Sequence, residues 1–239
     1  MELTSTEFNL LEVLARNAGR PVEDVIFGPV TIQPGEQIST ELIGPPQRFT
    51  VHANWKTGAE NFISDFQHAQ TLFIVGANTA YAHPILFRRI EDARRANPDM
   101  KLIVVDPRKT ETAEMADLYL PILPGTDVPL FHGMLNVMLS EGLIDMGFVH
   151  HSTNGFDELC NVVRDFKPED VANTCGIPLA DLVQAARWFA GHTPTLSLYC
   201  QGLNQSSSGT DKNSALINLH LATGQIGIPG AGPFSLTGQ

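Results

Sequence analysis

The chain has 239 residues, is 43% hydrophobic and carries a formal net charge of −11. That length suits one large or two small domains, and that composition can bury a core. No apolar run approaches the roughly 20 residues of a membrane helix, and no basic start precedes an apolar signal core, so the expected compartment is the cytoplasm and no membrane partner is expected. The acidic balance argues against nucleic acid as a partner, and an anionic ligand would need local donors such as backbone amides, helix starts or a few arginines.

Residues 3–18 read as one amphipathic helix, with Thr4, Ser5 or Thr6 as cap, and Gly19 and Pro21 stop it. The string TSTEFNLLEVLARNAGRPV resembles the opening of the winged-helix effector domain of response regulators. From Val22 to Asn54, short β-like runs (Val25–Phe27, Val30–Ile32, Phe49–Val51) alternate with glycine–proline turns. Glu60 to Gln70 reads as a short helix leading into a sheet. The expected division is a small helical and β segment over 1–68, followed by an α/β domain over 69–239.

The organising stretch is Thr71 to Asp127. Thr71–Val75 reads as a buried strand passing into Gly76-Ala77-Asn78 and a small loop. His83-Pro84 opens a helix over Ile85–Asn97, where Pro84 suits a first helical position. His83 is read as a cap, a packing residue or a ligand contact. Arg88, Arg89, Arg94 and Arg95 read as that helix's solvated face. A second strand, Leu102–Val105, ends in Asp106-Pro107-Arg108. A third run, Leu118–Ile122, ends in Pro124-Gly125-Thr126-Asp127.

Apolar runs that stop at small or polar residues before helices predict a Rossmann-like parallel sheet with flanking helices. Such a sheet offers loops to a ligand at its carboxyl edge. Asp106 is placed to accept from ribose hydroxyls, with Arg108 and Lys109 beside it for phosphate oxygens. The other reading is a turn aspartate with exposed cations. Asp127 either caps a helix over Val128–Leu139 or accepts donors from a purine base.

Leu130 to Ala190 reads as largely helical. Asp145 caps a short helix, Pro168 starts another that Gly176 ends, and Pro178 starts a third. His150 and His151 are adjacent, which suits a surface better than a metal pair. Cys160, Cys175 and Cys200 form no C-x-x-C, so no metal site is expected from this chain alone. Pro194–Tyr199 reads as a further buried strand, feeding the polar loop Gln201 to Thr210. A helix over Lys212–Thr223 follows, with Thr210 or Asp211 as cap. The glycine- and proline-rich tail from Gly224 reads as loop that stops without a closing element.

The runs VGANTAYAHPILFRRIEDA, IVVDPRKTETAEMADLYLPILPGTDV and GLNQSSSGTDKNSALINLHLATGQIGIPGAGPFSLTGQ resemble assimilatory nitrate reductases of the dimethyl sulfoxide reductase superfamily. The resemblance covers residues 69–239. It implies two molybdopterin guanine dinucleotides around one molybdenum, a 4Fe-4S cluster, nitrate as substrate and an electron donor of unstated identity. By the family pattern, Val75 to Ala82 (Gly76, Ala77 and Asn78 among them) would line one dinucleotide. Asp106, Pro107 and Arg108 would hold its ribose and phosphates. Gly125, Thr126 and Asp127 would read its guanine. Gln201, Gly202, Asn204, Gln205 and Gly209 would lie near the pterin or the substrate channel, with His83 a further contact.

The chain departs from the family in three ways. Gln201 stands where the family usually has methionine. Cysteines for the cluster and for molybdenum are absent before Cys160, and the second cofactor domain is missing. The expectation is therefore a dinucleotide clamp of a nitrate reductase, without catalytic residues or metal ligands of its own and inactive alone. The alternatives are a non-catalytic nucleotide-binding or regulatory module, or a truncated fusion product.

Overall fold

The computed structural model describes residues 65–236 together with two short strands, β1 (Gln37–Ile38) and β2 (Phe49–Thr50), which pair antiparallel. The expected amino-terminal helix, the runs Val25–Phe27 and Val30–Ile32, and most of the expected helix over 60–70 lie outside the described residues. The part from Asp65 is a turn closed by bonds from the His68 and Ala69 amides to the Asp65 carbonyl.

Three apolar runs form the centre of a five-stranded parallel sheet: β3 (Thr71–Val75), β4 (Lys101–Val105) and β6 (Thr195–Tyr199). The edges are β5 (Leu118–Leu120) and β7 (Gly232–Ser235), and the order is β5-β4-β3-β6-β7. Thr71 stands opposite Lys101 on one side and Thr195 on the other. Both faces are covered, which is why the strands read as continuous apolar runs rather than alternating ones. Phe73, Val75, Ile103 and Val105 pack into one core with Leu130, Met134, Leu182 and Leu216. Leu72, Ile74, Leu102 and Val104 pack into the other with Phe87, Ile90 and Ala93.

The helices are α1 (Thr79–Ala82), α2 (Pro84–Ala96), α3 (Glu111–Glu114), α4 (Asp127–Ser140) and α5 (Met146–Ser152). They continue with α6 (Phe156–Val163), α7 (Pro168–Cys175), α8 (Leu179–Gly191), α9 (Gln201–Asn204) and α10 (Gly209–Ala222). Asp145 caps α5 through the Phe148 amide at 2.9 Å, as expected. Gly176, at φ +72°, ends α7 in the left-handed region. No helix among the described residues is long and apolar enough to cross a membrane.

Four local expectations are corrected. The tail is not all loop, because Gly232–Ser235 pairs with β6 as an edge strand. Pro233 is tolerated there because an edge strand does not need every N–H in a ladder. The small loop after Asn78 holds the one-turn helix α1. The polar loop after Cys200 holds α9. The last long helix starts at Gly209 rather than Lys212, and Ser208, not Thr210 or Asp211, occupies its cap position.

Candidate functional site: the carboxyl edge of the sheet

The order β5-β4-β3-β6-β7 reverses direction between β3 and β6, and ligands of open α/β sheets bind at such a switch point. The loops leaving the strands are stitched together there. The Gly76 amide donates to the Val105 carbonyl at 2.9 Å, the Asp106 amide to Leu120 at 3.3 Å, and the Gly202 amide to Gly76 at 3.1 Å. Gly76 has φ +55°, and a Cβ at Gly202 would lie 2.6 Å from the Gly76 Cα. Two backbones therefore cross in contact at the switch point, which only glycine at both positions permits.

Asn78 projects from the β3 loop, and α3 holds its amide. It donates to Glu111 Oε2 at 3.1 Å and accepts from Thr112 Oγ1 at 2.9 Å. The Glu111 carboxyl is held below its ordinary value by its own backbone N–H and then by the Asn78 amide. Asp106 is buried, and its Oδ1 accepts the Arg108 amide at 2.8 Å, a tight turn that leaves the Arg108 guanidinium exposed. Tyr119 donates its hydroxyl to the Asp106 carbonyl at 3.0 Å, and burial followed by the Asp106 charge pushes that phenol up.

Asp127 is not the cap of α4. Thr126 holds the cap position, with its hydroxyl turned back to the Leu123 carbonyl at 2.7 Å. Asp127 occupies the first helical turn, where a carboxylate complements the helix dipole. Its Oδ2 lies 2.7 Å from the Nζ of Lys212, and both side chains are nearly buried. The same Nζ lies 3.4 Å from the Gly202 carbonyl.

The structure thus brings Gly76, Ala77, Asn78, Asp106, Pro107, Arg108, Gly125, Thr126, Asp127, Gln201 and Gly202 to one edge, on the loops of four adjacent strands. Gln201 and Gln205 are exposed. Asn204 is a scaffold residue, since its amide donates to Ser235 Oγ at 2.8 Å and accepts from Asn213 at 3.2 Å. Gly209 is also a packing position, because a Cβ there would meet the Asn204 carbonyl oxygen at 2.8 Å. His83 sits one helical turn beyond Asn78, at the start of α2, and makes no side-chain cap bond. His150 and His151 are exposed, and among the described residues no group of three or more His, Cys, Asp and Glu could hold a metal ion.

Lys212, Asn213, Glu111 and Thr112 are the residues that sequence reading missed. Lys212 had one available signal, as the sole lysine or arginine of α10, but its partner lies 85 positions away. Asn213 donates to Asn204 Oδ1 and to the Gly209 carbonyl at 2.7 Å, which fixes its amide orientation. Its own Oδ1 is buried with no partner among the described residues.

The donor set suits a nucleotide-like ligand. The Ala77 and Asn78 amides donate to no backbone acceptor among the described residues, and the Arg108 and Lys109 side chains are exposed. Such groups bind phosphate oxygens. Asp106 and Asp127 add two carboxylates to the same edge.

A family model described as molybdopterin oxidoreductase matches residues 10–237. The nitrate reductase of Synechocystis sp. is 49% identical over 175 residues, which are 73% of this chain and 24% of that protein. The F420-dependent formate dehydrogenase subunit alpha of Methanocaldococcus jannaschii is 38% identical over 75% of this chain and 26% of its own length. Among solved structures, acetylene hydratase from Pelobacter acetylenicus superposes with a TM-score of 0.62 and 28% identity, covering 72% of this chain and 25% of that one. The chain spans about a quarter of the length of these relatives.

Proposed function

Because the chain belongs to the molybdopterin oxidoreductase family, we propose that its carboxyl edge holds the guanine dinucleotide arm of a molybdopterin cofactor in a nitrate reductase. One observation carries this reading: Asn78, Asp106 and Asp127 lie on adjacent strand loops flanking the Gly76–Gly202 crossing. The amides of Ala77 and Asn78 would cradle a phosphate. Asp106 would accept from ribose hydroxyls, with Pro107 shaping the turn and Arg108 and Lys109 paired to phosphate oxygens. Gly125, Thr126 and Asp127 would face the base. Gln201, Gly202 and Gln205 would border the pterin.

Bound molybdenum would supply the oxygen-atom transfer chemistry, with electrons arriving through a 4Fe-4S cluster. This chain's part is to bind and orient. In this reading the cluster and molybdenum ligands come from other parts of the full enzyme. The domain carrying the arm comprises residues 69–239. Nitrate is favoured as substrate because the identity to a nitrate reductase, 49%, exceeds that to a formate dehydrogenase, 38%. A formate-oxidising subunit is the second reading, and it keeps the same cofactor arm.

The test is calorimetric titration of the chain with GDP and with ADP, which mimic the two possible purine ends. The proposal predicts binding of GDP in preference to ADP. Equal affinity for both, or none for either, would remove it. Nitrite formation by the chain alone would contradict its purely binding role.

A further inference from the structure

We propose that Lys212 is the positioning residue that sets the base selectivity of this site, by locking the Asp127 carboxylate in one orientation. This rests on the dinucleotide reading above. Lys212 Nζ contacts Asp127 Oδ2 at 2.7 Å and the Gly202 carbonyl at 3.4 Å. One cation therefore joins the first turn of α4 to the glycine crossing at the switch point. The two side chains are 7% and 10% exposed, so neither carboxylate nor ammonium can be satisfied by bulk water instead.

The lysine leaves from a fixed backbone. Asn213, next to it in α10, is clamped by its bonds to Asn204 and Gly209, and it ties the loop after β6 to the helix. A carboxylate has lone pairs for about four hydrogen bonds, so engagement by Lys212 leaves acceptor capacity for a ligand. Guanine offers two adjacent donors, the ring N1–H and the exocyclic amine. Adenine offers a lone pair at N1 beside its amine. A carboxylate held in one plane accepts both guanine donors and repels the adenine lone pair. A carboxylate free to rotate discriminates less. Lys212 acts through Asp127 and needs no contact with the base.

The experiment compares the chain with its Lys212→Met and Lys212→Gln variants by titration with GDP and ADP, alongside a thermal melt of each. Lys212→Gln keeps a donor opposite Asp127 and so preserves a folded form should Lys212→Met not fold. The expected result is a fall of about tenfold in the ratio of GDP to ADP affinity for Lys212→Met, and a smaller fall for Lys212→Gln. The loss falls on the GDP side. A wild-type ratio in whichever variant folds overturns the role of Lys212 and leaves the dinucleotide reading standing. Absence of any GDP preference in the wild type overturns that reading and this one with it.

Discussion

Asp127 and Lys212 are 85 positions apart in sequence and 2.7 Å apart in the structure, nearly buried at the edge where the strand order reverses. The pair ties α4 to α10. Removing one member leaves an uncompensated buried charge, which typically costs about 3–5 kcal/mol. Lys212→Met alone should therefore destabilise the fold strongly in urea titration. Combining it with Asp127→Asn removes both charges and should restore most of the loss. Equal destabilisation in single and paired variants would show that the charges are not coupled.

The glycine crossing makes a second prediction. A methyl group at residue 202 meets backbone atoms of Gly76 at 2.6 and 2.7 Å, and neither strand end can yield without moving its loop. Gly202→Ala should cost about 1–3 kcal/mol, the range for overpacking, and should weaken GDP binding as well. Gly191, at the end of α8, has nothing within 4 Å of its added Cβ and an ordinary φ. Gly191→Ala should gain about 0.4–1 kcal/mol without touching ligand binding. Thermal melts of the two variants give the comparison.

Acid should weaken the fold through His220. Its ring is fully buried, 2.7 Å from Ser197 Oγ and against the Phe189 ring. Burial pushes its pKa from 6.5 down to about 3, only partly offset by the Gln225 backbone. Between those values the unfolded chain binds a proton that the folded chain refuses. The stability is therefore complete above about pH 6.5 and is lost as pH falls toward 3, by at most about 1.4 kcal/mol per pH unit. Burial lowers His132 in the same direction. Urea midpoints measured across that window should drop steadily. The paired Ser197→Ala/His220→Leu variant should show a shallower slope, and an unchanged slope would assign the acid sensitivity to other groups.

Much of this architecture is legible in the residues. Thr71–Val75, Leu102–Val105 and Pro194–Tyr199 announce buried parallel strands because both faces are covered and nothing charged interrupts them. The polar exits Asn78, Asp106 and, after the Leu118–Ile122 run, Asp127 follow from the same punctuation. The tail hid β7 because Gly232 and Pro233 carry no strand propensity, and only pairing with Leu196 to Tyr199 makes them one. Roles that depend on distant partners were not legible. Asn204 reads as a ligand amide in sequence, yet Ser235 and Asn213 already occupy it. Lys212 reads as the opening of a helix, and its role appears only when α10 is packed beside α4.

The central claim places one guanine-bearing ligand across the loops of β3, β4 and β5. Amide chemical-shift mapping of the isotope-labelled chain during GDP titration tests it most directly. The account predicts that the largest shifts fall at Gly76–Asn78, Asp106–Lys109 and Gly125–Asp127. Shifts centred instead on the hollow lined by Val149, Thr153, Phe156 and Leu221 would contradict it.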